Sequence, residues 1–275
     1  MDVFAAFIAP ALAGVFVGVI SGLLGVGGGT IMVPIFRLAF GMSPLASTAT
    51  SLFAIIPTSI SGVVAHARAK TCVPKLGLAL GVGGAVMSPL GVWLASVSPG
   101  WLVICVAAIV IGFSAFKMFK KAVKCAPAPR AGAASAHSAS PKPVPDQPHL
   151  SRKQYLQGAC IGLIAGLASG YVGVGGGFIM VPLMLAVLDI PMSLASGTSL
   201  IAIMILAIPG VIEQGLLGNI DYLAGIAIVV GSIPGALVGA RLVRVVPERQ
   251  LRFIFGGFLL VAAVMLMLNE FGILG

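Results

Sequence analysis

The chain reads as an all-α polytopic membrane protein. It would comprise two inverted-topology repeats of about five segments each, eight to ten membrane segments in all, with one short or broken helix per repeat. Composition is the first reason: 59% of the 275 residues are hydrophobic and 8% charged, where a soluble domain carries about 25% charged residues. An internal duplication is the second. Gly25-Val-Gly-Gly-Gly-Thr-Ile-Met-Val-Pro34 returns 148 residues later as Gly173-Val-Gly-Gly-Gly-Phe-Ile-Met-Val-Pro182, with one position changed. The same offset matches Thr50-Ser-Leu52 to Thr198-Ser-Leu200, Gly83 to Gly231, Gly91 to Gly239 and Pro99 to Pro247. The third is a loop-charge bias that changes side between the copies.

Taken in order, the apolar segments of the first half fall near 3–24, 30–41, 46–65, 76–96 and 101–119. Those of the second half fall near 155–172, 178–188, 194–212, 222–240 and 253–269. They are far longer than the ~10-residue strands of an outer-membrane barrel, so they are helices. The first lacks a basic leader region and a small-residue cleavage site, and is expected to be a permanent helix. The second segment of each half is too short to span. Eleven or twelve residues reach about 17 Å at 1.5 Å each, against a hydrocarbon core of about 30 Å. One end must stop at membrane depth, where irregular backbone survives only if buried or lining a wet cavity. Hydropathy alone is expected to report seven to nine spans. Residues 122–152, rich in Pro, Ala and Ser with scattered base, form a tether between a membrane repeat at 1–121 and another at 153–275.

Charge orients these segments. Lys117, Lys120, Lys121, Lys124, Arg130, Lys142, Arg152 and Lys153 surround or lie in the linker, which places it in the cytoplasm. The loop at 66–75 carries Arg68, Lys70 and Lys75, while its counterpart at 213–221 holds Glu213 and Asp221 and no base. The loop at 96–100 is uncharged, while its counterpart at 241–252 holds Arg241, Arg244, Arg249 and Arg252. Two halves of one fold with opposite charge bias require an odd number of crossings each. Five crossings put both termini outside an inner, plasma-type membrane. The net charge of +9 is thereby explained by topology, and nucleic acid is not an expected partner.

The glycine runs stand where each short helix opens, at Gly29 or Thr30 and at Gly177 or Phe178. Free backbone N–H groups and the positive end of a helix dipole favour an anion there, and glycine admits close approach. The competing reading is tight helix crossing, as small residues permit in membranes. A glycine break repeated in both halves of a membrane chain points to a transporter's binding site. The candidate substrate residues are therefore Gly25, Gly27, Gly28, Gly29 and Thr30, with Gly173, Gly175, Gly176, Gly177 and Phe178. The hydroxyls of Thr50, Ser51, Thr198 and Ser199 join them, either as ligands or as interhelical glue. Arg37 is a base inside an assigned membrane segment. Its counterpart is Leu185, and its place near a helix end favours snorkelling over substrate binding. No carboxylate sits mid-span.

Enzyme chemistry finds no support. The runs are not G-x-G-x-x-G, and no G-K-[ST] is present. His66, His137 and His149 lie in a loop and in the linker, so no membrane serine has a base. No metal-ligand cluster or cofactor site is visible. Cys72, Cys105, Cys125 and Cys160 lack CxxC spacing and read as free thiols or small fillers.

Two Gly-x-Gly-Gly-Gly-x-x-x-x-Pro motifs in a small bipartite membrane chain with a basic central linker resemble the TauE/SafE sulfite exporter family. The resemblance covers essentially the whole chain outside 122–150. It implies a transporter of small sulfur-containing anions such as sulfite, sulfonates or related organic acids. The expected partners are that anion and the bilayer, with homo-oligomerisation left open. A channel with a glycine filter and a non-transporting scaffold are the alternatives, and since the first copy has Thr30 where the second has Phe178, the half-sites would differ chemically.

Overall fold

The computed structural model describes residues 3–124, 151–172 and 175–270, which are helical apart from short turns. The first five helices are α1 (Val3–Leu24), α2 (Gly29–Leu38), α3 (Pro44–Arg68), α4 (Pro74–Val97) and α5 (Gly100–Lys124). The second five are α6 (Arg152–Val172), α7 (Gly177–Leu183, continued by a π-helical turn over Met184–Leu188), α8 (Met192–Leu216), α9 (Tyr222–Leu242) and α10 (Glu248–Glu270). Most of the linker, with Cys125, lies outside the described residues, as do Gly173 and Val174. Each sequence segment has its helix, and the two short ones are α2 and α7.

Local chemistry sets the ends. Ser43 caps α3 by accepting from the Ala46 backbone N–H, and Asp221 caps α9 by accepting from that of Ala224. Pro44 stands in the first turn of α3, where its missing N–H costs nothing. Glycines end α1: Gly25 and Gly27 adopt φ of 71° and 82°, a left-handed backbone that L side chains resist. The helices also absorb residues expected in loops. His66 and Arg68 belong to the last turn of α3, Glu213 to the last turn of α8, and Arg249 and Arg252 to the start of α10. His66 is therefore not a loop residue; it is fully buried.

Among the described residues five helices are long and apolar enough to cross a membrane: Phe7–Leu24, Leu45–Arg68, Pro74–Leu94, Met192–Leu216 and Tyr222–Leu242. α5, α6 and α10 are of similar length and carry charge at one end: Lys117, Lys120, Lys121 and Lys124 at the end of α5, Arg152 and Lys153 at the start of α6, and Glu248, Arg249 and Arg252 at the start of α10.

The two halves interlock rather than stand side by side. α1 packs along α9, and α6 packs along α4. Small residues make this possible. Gly14, Gly18 and Gly22 of α1 sit on the backbone carbonyls of Ile228, Ser232 and Ala236, with no room for a Cβ. Gly162, Gly166 and Gly170 of α6 sit likewise on Leu80, Gly84 and Ser88. Each contact in one set becomes a contact of the other on adding 148, with the halves exchanged. α3 packs against α8, and α5 against α10. The largest core cluster joins residues of both halves, including Leu24, Ile55, Leu80, Phe178, Ile203 and Phe255.

Candidate substrate site

The glycine runs meet at the centre of the molecule. A Cβ on Gly177 would lie 2.8 Å from both the Gly25 carbonyl oxygen and the Val26 Cα. The Ser199 hydroxyl, on α8, donates to the Gly25 carbonyl at 2.6 Å. Helices α2 and α7 begin at Gly29 and Gly177, as their sequences suggest, and neither start carries a side-chain cap. Their first internal bonds run from Ile31 and Met32 to the Gly28 carbonyl, and from Ile179 and Met180 to that of Gly176. Residues 25–30 and 175–178 are all buried.

The four expected hydroxyls are buried as well, and each bonds to protein. Thr50 Oγ1 accepts from the Asp221 backbone N–H, and Thr198 Oγ1 accepts from that of Val73, both at 3.0 Å. These are one interaction made twice, since 73 and 50 become 221 and 198 on adding 148. Ser51 and Ser199 donate to carbonyls a turn earlier, Thr48 and Ser196. Thr30 is set apart from its neighbours. It lines an apolar groove of about 490 Å³ between α1, α2 and α10, with its hydroxyl buried and unpaired. Phe178 is wholly buried in the core. Arg37 stands half-buried in the last turn of α2, where the helix dipole favours a cation.

A more polar cavity of about 400 Å³ reaches the second glycine run at Gly175, within the size range of small-molecule sites. Its polar lining comes from both halves: Thr48 and Ser88 from the first, and Ser169, Tyr171, Glu213 and Gln214 from the second. None of these six was a candidate site residue from the sequence. The clue available was the repeat itself: Ser169 precedes the second run by the same spacing at which Ser21 precedes the first.

The repeat gives every lining residue a counterpart, and the two sets differ in packing. Val92 on the cavity is 40% exposed, and its counterpart Ala240 is 1% exposed. Gln214 is half-buried, and its counterpart His66 is 0% exposed. A methyl on Gly175 would find Ile55 3.8 Å away, whereas one on Gly27 would find Ile203 at 2.8 Å. Gly210 and Gly62 show the same order, 3.2 Å from Leu52 and 2.7 Å from Leu200. One half-site is open and its twin is packed shut. Inside the shut half, the hydroxyl of Ser21 is buried without a partner.

Among the described residues no cluster of His, Cys, Asp or Glu suits a metal ion. The arrangement is a partly polar cavity between two interlocked half-bundles of apolar helices.

A model of the sulfite exporter TauE/SafE family matches residues 10–266, and the chain belongs to that family of multi-pass membrane transporters. It is similar to the probable membrane transporter proteins YunE and YdhB of Bacillus subtilis. YunE is 26% identical over 86% of this chain and 89% of the relative; YdhB is 29% identical over the same shares. A probable membrane transporter protein of Methanocaldococcus jannaschii is 24% identical over 94% of both chains. No solved structure matches the chain.

Proposed function

We propose that the protein is a secondary transporter that exports a small sulfur-containing anion, sulfite or a short organosulfonate, by alternating access. The observation that carries this reading is the pairing of an open cavity at Gly175 with a closed counterpart at Gly27. In a protein of two inverted five-helix repeats, each half can adopt the other's packing, which turns the same pair of half-sites toward the opposite side. The exchange of contacts under the 148-residue shift supports that reading. On the topology expected from loop charge, with both termini outside and the linker cytoplasmic, the open cavity faces outward.

The substrate would meet backbone N–H groups of 175–178 with the hydroxyls of Ser88 and Ser169. In the other state, residues 27–30 would take that part. The hydroxyls of Thr50, Thr198 and Ser199 frame the half-sites through bonds to the opposite repeat, and that of Ser51 through its bond to Thr48. An inside-negative potential drives each anionic charge outward by about 2.3 kcal/mol per 100 mV, so export needs no further coupling.

The test is counterflow in proteoliposomes preloaded with sulfite, thiosulfate or a short sulfonate. Saturable exchange of labelled anion is expected. Flux that neither saturates nor exchanges would favour a channel.

A further inference from the structure

The half-site that is shut is held by a group its open twin lacks. His66, in the last turn of α3, donates from Nε2 to the carbonyl of Gly22 on α1 at 2.9 Å, and its Nδ1 bonds the Thr71 hydroxyl at 2.8 Å. The ring thus ties α1 and α3 to the turn that precedes α4. The ring also lies against Gly197 of α8, where a Cβ would stand 2.9 Å from Cγ and from Nδ1. On the open side the four counterparts are Gln214, Gly170, Asn219 and Ala49. There Asn219 Nδ2 donates to Gln214 Oε1 at 2.8 Å, and both Gln214 and Gly170 line the cavity. The side-chain pair within one turn is kept in both halves. The His66 half alone has the glycine on α8 that lets an aromatic ring fill the gap, while the other half has Ala49 in that place.

We propose that His66 is the latch of the closed half-site, and that it becomes a lining group of that half-site when it opens, as Gln214 is of the open one. The buried and unpaired hydroxyl of Ser21, counterpart of the cavity residue Ser169, marks where the anion would stand beside it. An imidazole N–H released from the Gly22 carbonyl is a donor for a small oxyanion. This inference rests on the alternating-access reading, and it makes the two gates chemically different: a ring that plugs on one side, an amide that leaves a gap on the other.

Cys72 reports on the latch, since it follows Thr71 in the same turn and is 2% exposed. In purified protein lacking the other cysteines, maleimide modification of Cys72 would be timed, with Val92→Cys, in a second protein also carrying Cys72→Ser, as the reporter of the open cavity. His66→Ala is expected to speed modification of Cys72 tenfold or more, and to slow modification at the Val92→Cys site at least threefold, because opening one half closes the other. Gly197→Ala, which pushes the ring from its slot, is expected to act in the same direction. His66→Gln, which keeps a donor for Gly22, should fall between wild type and His66→Ala. An unchanged Cys72 rate would overturn the latch. A faster Cys72 with an unchanged Val92→Cys rate would also overturn it, because local loosening would then explain the effect. Should His66→Ala fail to fold, Gly197→Ala and His66→Gln carry the same two readouts. Absence of counterflow by the wild-type protein would instead strike the transporter reading, and is measured separately.

Discussion

Thr50 and Asp221 lie 171 positions apart, yet the Thr50 hydroxyl accepts the backbone N–H of Asp221 at 3.0 Å. Asp221 is the residue whose carboxylate caps α9, so the threonine pins the start of that helix to the second turn of α3. Thr198 repeats this with Val73 at the start of α4. The conserved spacing of Thr50 and Thr198 within the duplication therefore has a structural cause in addition to any contact with substrate.

Removing either hydroxyl leaves a buried N–H without its partner, which costs about 1–3 kcal/mol. Thr50→Val and Thr198→Val, which keep shape, are expected to lower the melting temperature of the purified protein. An unchanged melting temperature with weakened transport would assign these hydroxyls to substrate alone.

The glycine runs are not interchangeable in their tolerance. Gly28 holds φ at 80°, and a Cβ there would stand 3.0 Å from Val17 Cγ1; a left-handed alanine costs about 1–2 kcal/mol. Gly176 has φ of −78°, and the nearest atom to a Cβ is the flexible Met180 Cε at 3.3 Å. Gly28→Ala is expected to lower stability, while Gly176→Ala changes it by less than about 1 kcal/mol. Thermal unfolding of both in detergent checks this.

Glu213 brings a carboxylate to the wall of the cavity that the proposed anion enters. Like charge at an entrance slows association. Glu213→Gln is expected to lower the KM for the anion severalfold at low salt, with the gain fading as salt screens the charge. Initial rates in proteoliposomes at two ionic strengths measure it, and an unchanged or raised KM would show that the carboxylate assists transport.

Arg37 ends a short helix and has Leu185 as its counterpart. Arg37→Gln is expected to hold substrate affinity within about tenfold, roughly 1.4 kcal/mol. A hundredfold loss in a folded variant would make Arg37 the counter-ion of the anion.

Much of this fold was legible because the duplication repeats helix punctuation as well as residues. The glycine runs announce α2 and α7, and α1 follows its apolar segment end to end. The cavity was not legible, because its walls come from residues such as Ser88 and Gln214 that belong to no motif and are brought together only by the packing of α4 against α6 and α8. His66 was misread for a related reason. Basic neighbours such as Arg68 and Lys70 give its segment the look of a loop, and only packing against Gly22 and Gly197 shows the ring to be buried.

The central claim is that positions 148 apart face opposite sides and open in turn. Val92→Cys and Ala240→Cys, each in a cysteine-free protein reconstituted with known orientation, test it most directly by modification with an impermeant thiol reagent. The account predicts rapid labelling at position 92 from the outer side only and slow labelling at position 240. Exchange conditions with saturating anion should slow the first and speed the second from the cytoplasmic side. Labelling of both from the same side would contradict the inverted arrangement, and rapid labelling of both at once from opposite sides would contradict alternating access.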